Sequence, residues 1–172
     1  MSEVPQRANL VRAYIALSPQ SLQDKTWEGA LVTVVDEAWC AAAGFPAPSD
    51  LHGEDREVAE DKALHVAALK SLDAQTESSQ PLRVVAVAEV ADTDLQPCPP
   101  EMAGAYVLTR PIQYSEVASY HVDEPAAGAE VAKQAQLRAG QTGKFSQELE
   151  LPELLWFDGS ELEVLREFLG LS

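Results

Sequence analysis

The sequence predicts a single α/β or α+β domain: a mixed sheet of about five strands with helices packed on its faces. Three observations predict it. The length, 172 residues, is that of one ordinary domain. Hydrophobic residues make up 46% of the chain, enough to bury a core. Short β-branched apolar runs alternate with segments of helical spacing, which is how a sheet covered by helices reads in sequence. One unit over 1–172 is expected, with a flexible N-terminus over 1–10 and a mobile polar loop over 140–148.

The first strand is read over 11–17 (VRAYIAL), closed by Ser18-Pro19. Ser18 is a favourable N-cap, and Pro19 suits a first helical position, where the N–H has no partner anyway. A helix over 19–29 follows, burying Leu22 and Trp27, and then a strand over 31–35 (LVTVV). Asp36 caps a short helix that runs through Trp39 to Ala43 and stops at Gly44. Prolines, Gly53 and Ser49-Asp50 make 45–53 a loop.

The strongest helix is read over 54–73. Acids crowd its first turns, where the helix dipole is positive. Leu64, Ala68 and Leu72 define its apolar face. After a polar connection over 75–81, the run over 83–91 (RVVAVAEVA) is the clearest strand. Its near-continuous apolar character predicts burial on both faces, in a central position. The prolines of 92–104 mark turns. Strands over 105–110 and 119–123 flank a short connection over 111–117, and Pro125 opens a helix to 139. At the C-terminus, 154–157 (LLWF) reads as a buried strand or a turn of helix. Ser160 and Glu163 have capping-box spacing for a last helix over 161–169 that buries Leu162, Leu165 and Leu169.

Charge and motifs bound the function. Lys and Arg total 12 and Asp and Glu 28, for a formal net charge of −16. With no basic patch, direct binding to nucleic acid is not expected. The acids gather at Asp50, Glu54, Asp55, Glu57, Glu60 and Asp61, and again between Glu148 and Glu167. They are read as a solvated surface, as a docking surface for a basic partner, or as mimicry of nucleic acid. No apolar run is long enough to span a membrane, and the N-terminus lacks the pattern of a secretory signal. A cytoplasmic location with Cys40 and Cys98 as reduced thiols is therefore expected. No CxxC pair, phosphate-binding glycine loop or nucleophile elbow is present, so neither cofactor nor metal is assigned. Cys40, beside Trp39 and three alanines, reads as packed.

The most suggestive local feature is His121-Val122-Asp123. Residues i and i+2 of a strand share a face. His121 and Asp123 would stand side by side near a strand end, where a carboxylate can orient an imidazole for general-base work. The competing reading makes Asp123 the cap of the next helix and His121 a half-buried polar residue. Trp156-Phe157 is read either as a core anchor or as an aromatic hot spot for a partner.

The stretches RAYIALSPQSL, RVVAVAEV, SEVASYHVDE and ELLWF occur in this order. The chain resembles a family of uncharacterised actinobacterial proteins that are acidic, alanine-rich and of similar length. The resemblance implies a cytosolic bacterial protein and assigns no catalytic residue. The leading functional expectation is a non-enzymatic protein-interaction or regulatory domain with an acidic surface. A small-molecule site or enzyme around His121 and Asp123 is the alternative, and nucleic-acid mimicry the second. A homodimer stays open.

Overall fold

A computed structural model describes residues 9–24, 26–27, 29–75, 81–98, 103–139 and 151–171. The elements in chain order are β1 (Leu10–Leu17), β2 (Thr26–Trp27), β3 (Leu31–Thr33), α1 (Glu37–Ala43), α2 (Gly53–Asp73), β4 (Val84–Ala91) and β5 (Leu95–Pro97). Then come β6 (Ala105–Leu108), β7 (Ile112–Gln113), β8 (Val117–Val122), α3 (Gly128–Ala139), β9 (Leu155–Asp158) and α4 (Leu162–Phe168). The α/β class holds. The expected loop over 140–148 lies outside the described residues, as does the N-terminus up to residue 8.

The sheet is larger than five strands and its ladders are antiparallel rather than mixed. Seven strands pair in the order β5-β6-β3-β1-β4-β8-β9. A separate ribbon joins β2 to β7. Beyond the five expected strands the sheet gains β5, which lies in the proline-rich stretch, and β9, which lies where 154–157 reads as a strand or a turn of helix. Of the ribbon strands, β2 lies in the segment read as a helix and β7 in the connection before β8.

As its apolar run predicts, β4 is central. It pairs with β1 from Leu10↔Ala91 to Leu17↔Val84, and with β8 on its other side. Its residues alternate between two cores. Val84, Ala86, Ala88 and Val90 meet Leu22, Trp27, Ile112, Leu162 and Leu165 beneath the sheet. Val85 and Val87 meet Tyr14, Trp39 and Cys40, and the Ala59, Ala63, Ala67 and Ala68 stripe of α2 above it. Alanines let α2 lie close against β1, β3 and β4. Ser71 fixes its C-terminal end: the hydroxyl donates to the Leu17 carbonyl at 2.5 Å and accepts from the Val84 N–H at 3.0 Å.

Two local expectations are corrected. The helix over 19–29 shrinks to a 3-10 turn, Pro19–Gln23. Ser18 and Ser21 exchange capping bonds. The Trp27 indole N–H then donates to the Ser21 carbonyl at 2.6 Å, and the chain turns into β2. The capping box before α4 is formed by Asp158 and Glu161 rather than Ser160 and Glu163. Asp158 accepts from the Ser160 N–H, and Glu161 accepts from the Asp158 N–H, both at 2.9 Å. The caps read for α1 hold: Asp36 accepts from the Trp39 N–H at 2.8 Å, and Gly44 closes α1 in the left-handed conformation.

Candidate functional site

The end of the sheet where β4 begins and β8 ends carries a buried ion pair. Arg83 precedes β4 and Asp123 follows β8, and both side chains are almost wholly buried. One carboxylate oxygen of Asp123 accepts from the Arg83 backbone N–H at 2.7 Å and from its Nε at 2.9 Å. The other accepts from a terminal guanidinium nitrogen at 2.6 Å. That same nitrogen donates to the Pro152 carbonyl at 2.6 Å. Asp123 therefore neither caps the next turn, whose cap residue is Glu124, nor bonds His121. Its carboxylate is held by Arg83.

His121 takes a different partner. Its Nε2 lies 3.1 Å from the Ser119 hydroxyl, two residues back on the same face of β8. Burial, followed by the positive charge of Arg12, lowers the imidazole pKa to about 4, while Asp61 opposes the shift. The ring is neutral at pH 7, and an imidazole held so far below neutrality is a weak base. Tyr14, on β1, shares the neighbours Arg12 and Asp61. Burial is the main reason its hydroxyl is pushed up to about 12. Across β9, the residue facing His121 is Trp156.

β9 and α4 build the third feature. β9 has one hydrogen-bonded neighbour among the described strands, β8, so it forms an edge of the sheet. Its side chains alternate. Trp156 and Asp158 pair across to His121 and Ser119 on the α2 side, while Leu155 and Phe157 pair to Val122 and Tyr120 on the α4 side. Phe157 rests against Phe168, ring centroids 5.4 Å apart. Leu155, Trp156, Val164 and Phe168 are exposed. Acids surround them: Glu153, Glu163 and Glu167 are exposed, and hydrogen bonds from Ser160 hold the Asp158 carboxyl below its ordinary range. The neighbouring cation, Arg166, is engaged. Its Nε donates to the Leu22 carbonyl at 2.7 Å and another nitrogen to Glu163 at 3.1 Å.

The other singled-out residues are dispersed. His65 is exposed and bonded to Asp61 one turn back on α2. His52 is the residue before α2 and makes no side-chain cap bond. Cys40 is buried, Cys98 half-buried, and neither is in a disulfide. Among the described residues, no three His, Cys, Asp or Glu side chains cluster as metal donors, and no helix is long and apolar enough to cross a membrane.

Arg83 was missed by sequence reading, because an ion pair spanning 40 positions leaves no local periodicity to detect. The exposure of Trp156 was one of two open readings and is settled only by the sheet order.

The model of a family of unknown function, DUF6912, matches residues 11–165. No curated protein and no solved structure matches the chain.

Proposed function

The chain belongs to this family of unknown function, and from that premise we propose that it is a non-enzymatic protein-interaction domain whose contact surface is the β9–α4 corner. The observation that carries this reading is Trp156. It is 61% exposed, whereas Trp27 and Trp39 are 4% and 5% exposed. A large aromatic left in water forgoes burial that would stabilise the fold by roughly 1.5–3 kcal/mol, and Trp is over-represented at binding hot spots. Its setting supports the same reading. Sheet edges that face only water are blunted by prolines, charges or shortness. The opposite edge obeys this rule: β5 is three residues long and ends at Pro97. The β9 edge carries Leu155, Trp156 and Phe157 in succession, and the exposed Phe168 packs against Phe157. The acidic surface would give partners their on-rate and selectivity.

The test is affinity capture from a lysate of the source cells at low and moderate salt, comparing wild type with Trp156→Ala/Val164→Glu. A partner that survives moderate salt on wild type and is lost from the variant is the expected result. Identical captured sets from both proteins would remove the β9–α4 corner as the contact surface.

A further inference from the structure

We infer that the β9 edge accepts an added β-strand from a basic, extended segment of another protein, in which cationic and apolar residues alternate. The inference rests on the interaction reading above and names its partner.

Three observations lead there. β9 is a terminal strand, so one row of its backbone groups faces away from β8 among the described residues: the Trp156 N–H and C=O and the Asp158 C=O, the Asp158 N–H being taken by the Glu161 carboxylate. An extended peptide can satisfy that row with a ladder of main-chain hydrogen bonds. The side chains beside the row differ by face. On the α2 side stand Trp156 and Asp158, two residues apart and so neighbours on one face. An indole face and a fixed carboxylate together select a Lys or Arg side chain, through cation–π attraction and charge. On the α4 side stand Leu155 and Phe157, backed by Phe168, which select an apolar side chain. A strand laid against β9 has the same period of two, so its residues alternate between these two environments.

Charge sets the sign of the partner. The formal net charge of −16 and the exposed Glu153, Glu163 and Glu167 favour a cationic segment. They oppose a second copy of this chain, which would bring two strongly negative bodies within a Debye length of each other.

The probe is acetyl-Lys-Val-Lys-Val-Lys-Val-Lys-amide, titrated into the whole protein. Since Trp27 and Trp39 are buried, a change in tryptophan emission reports on Trp156. Saturable binding is expected, weakened by salt and abolished when Glu replaces Lys in the peptide. Methylating alternate backbone nitrogens, so that the peptide cannot extend the ladder, should weaken binding at least ~10-fold, the loss of one or two net hydrogen bonds. Calorimetry on Trp156→Ala should show a comparable loss. Equal affinity for the plain and methylated peptides would overturn strand addition, as would a dimer through β9 by sedimentation. Failure of the plain peptide would also overturn it, and a partner still captured through the β9–α4 corner would then leave the interaction reading standing by itself.

Discussion

Arg83 and Asp123 tie the start of β4 to the end of β8 through three hydrogen bonds to one carboxylate. Removing one partner leaves the other charge buried and unpaired, which costs about 3–5 kcal/mol. Arg83→Met should lose that much in urea denaturation. Arg83→Met/Asp123→Asn should recover part of it, because no charge then stays buried. His121 gives a pH signature. Its pKa falls from 6.5 to about 4 on folding, mainly by burial. The unfolded chain therefore binds the proton more readily, and stability falls as pH drops from about 6.5 towards 4. The slope for one proton is at most about 1.4 kcal/mol per pH unit. His121→Gln should flatten this part of the stability curve relative to wild type, as measured by urea denaturation across the range. At this scale the sequence was half legible. Period-two alternation correctly placed His121 on one face, but its partner is Ser119, two residues earlier on that face, and not the Asp123 that adjacency proposed.

Among the elements, β9 and α4 depend on the tight turn between them. A Cβ on Gly159 would lie 1.9 Å from the Val117 carbonyl oxygen, a backbone atom that cannot swing aside. Gly159→Ala should therefore cost about 3 kcal/mol, the upper end of overpacking penalties, whereas Trp156→Ala, on exposed surface, should stay within about 0.5 kcal/mol of wild type. Thermal denaturation of the two variants checks the contrast. If both lose stability alike, Trp156 is a structural anchor rather than a contact residue. Long elements were legible because a repeat has room to show. The run over 83–91 gave β4, and the run over 54–73 gave α2. Two-residue strands such as β2 and β7 carry no periodicity of their own and exist through each other, Thr26↔Gln113 and Trp27↔Ile112. The capping box before α4 was displaced by two residues because Asp158 and Glu161 have the same spacing as Ser160 and Glu163 and lie where β9 ends.

For the whole molecule, the acidic excess and the open edge act together. On the proposed reading, charge draws a cationic segment from a distance set by ionic strength, and the β9–α4 corner supplies the apolar contacts and hydrogen bonds that hold it. Strand order, which decides that β9 and not β4 is the edge, depends on pairings between distant segments, so neither the edge nor the exposure of Trp156 was legible in the chain. The most direct measurement is backbone NMR of the whole protein with and without the alternating Lys-Val peptide, followed by amide exchange. The account predicts shifts centred on Leu155–Asp158 and on α4, with the outward-facing Trp156 amide gaining protection. Shifts confined to the acidic first turns of α2, with β9 amides exchanging as before, would contradict it.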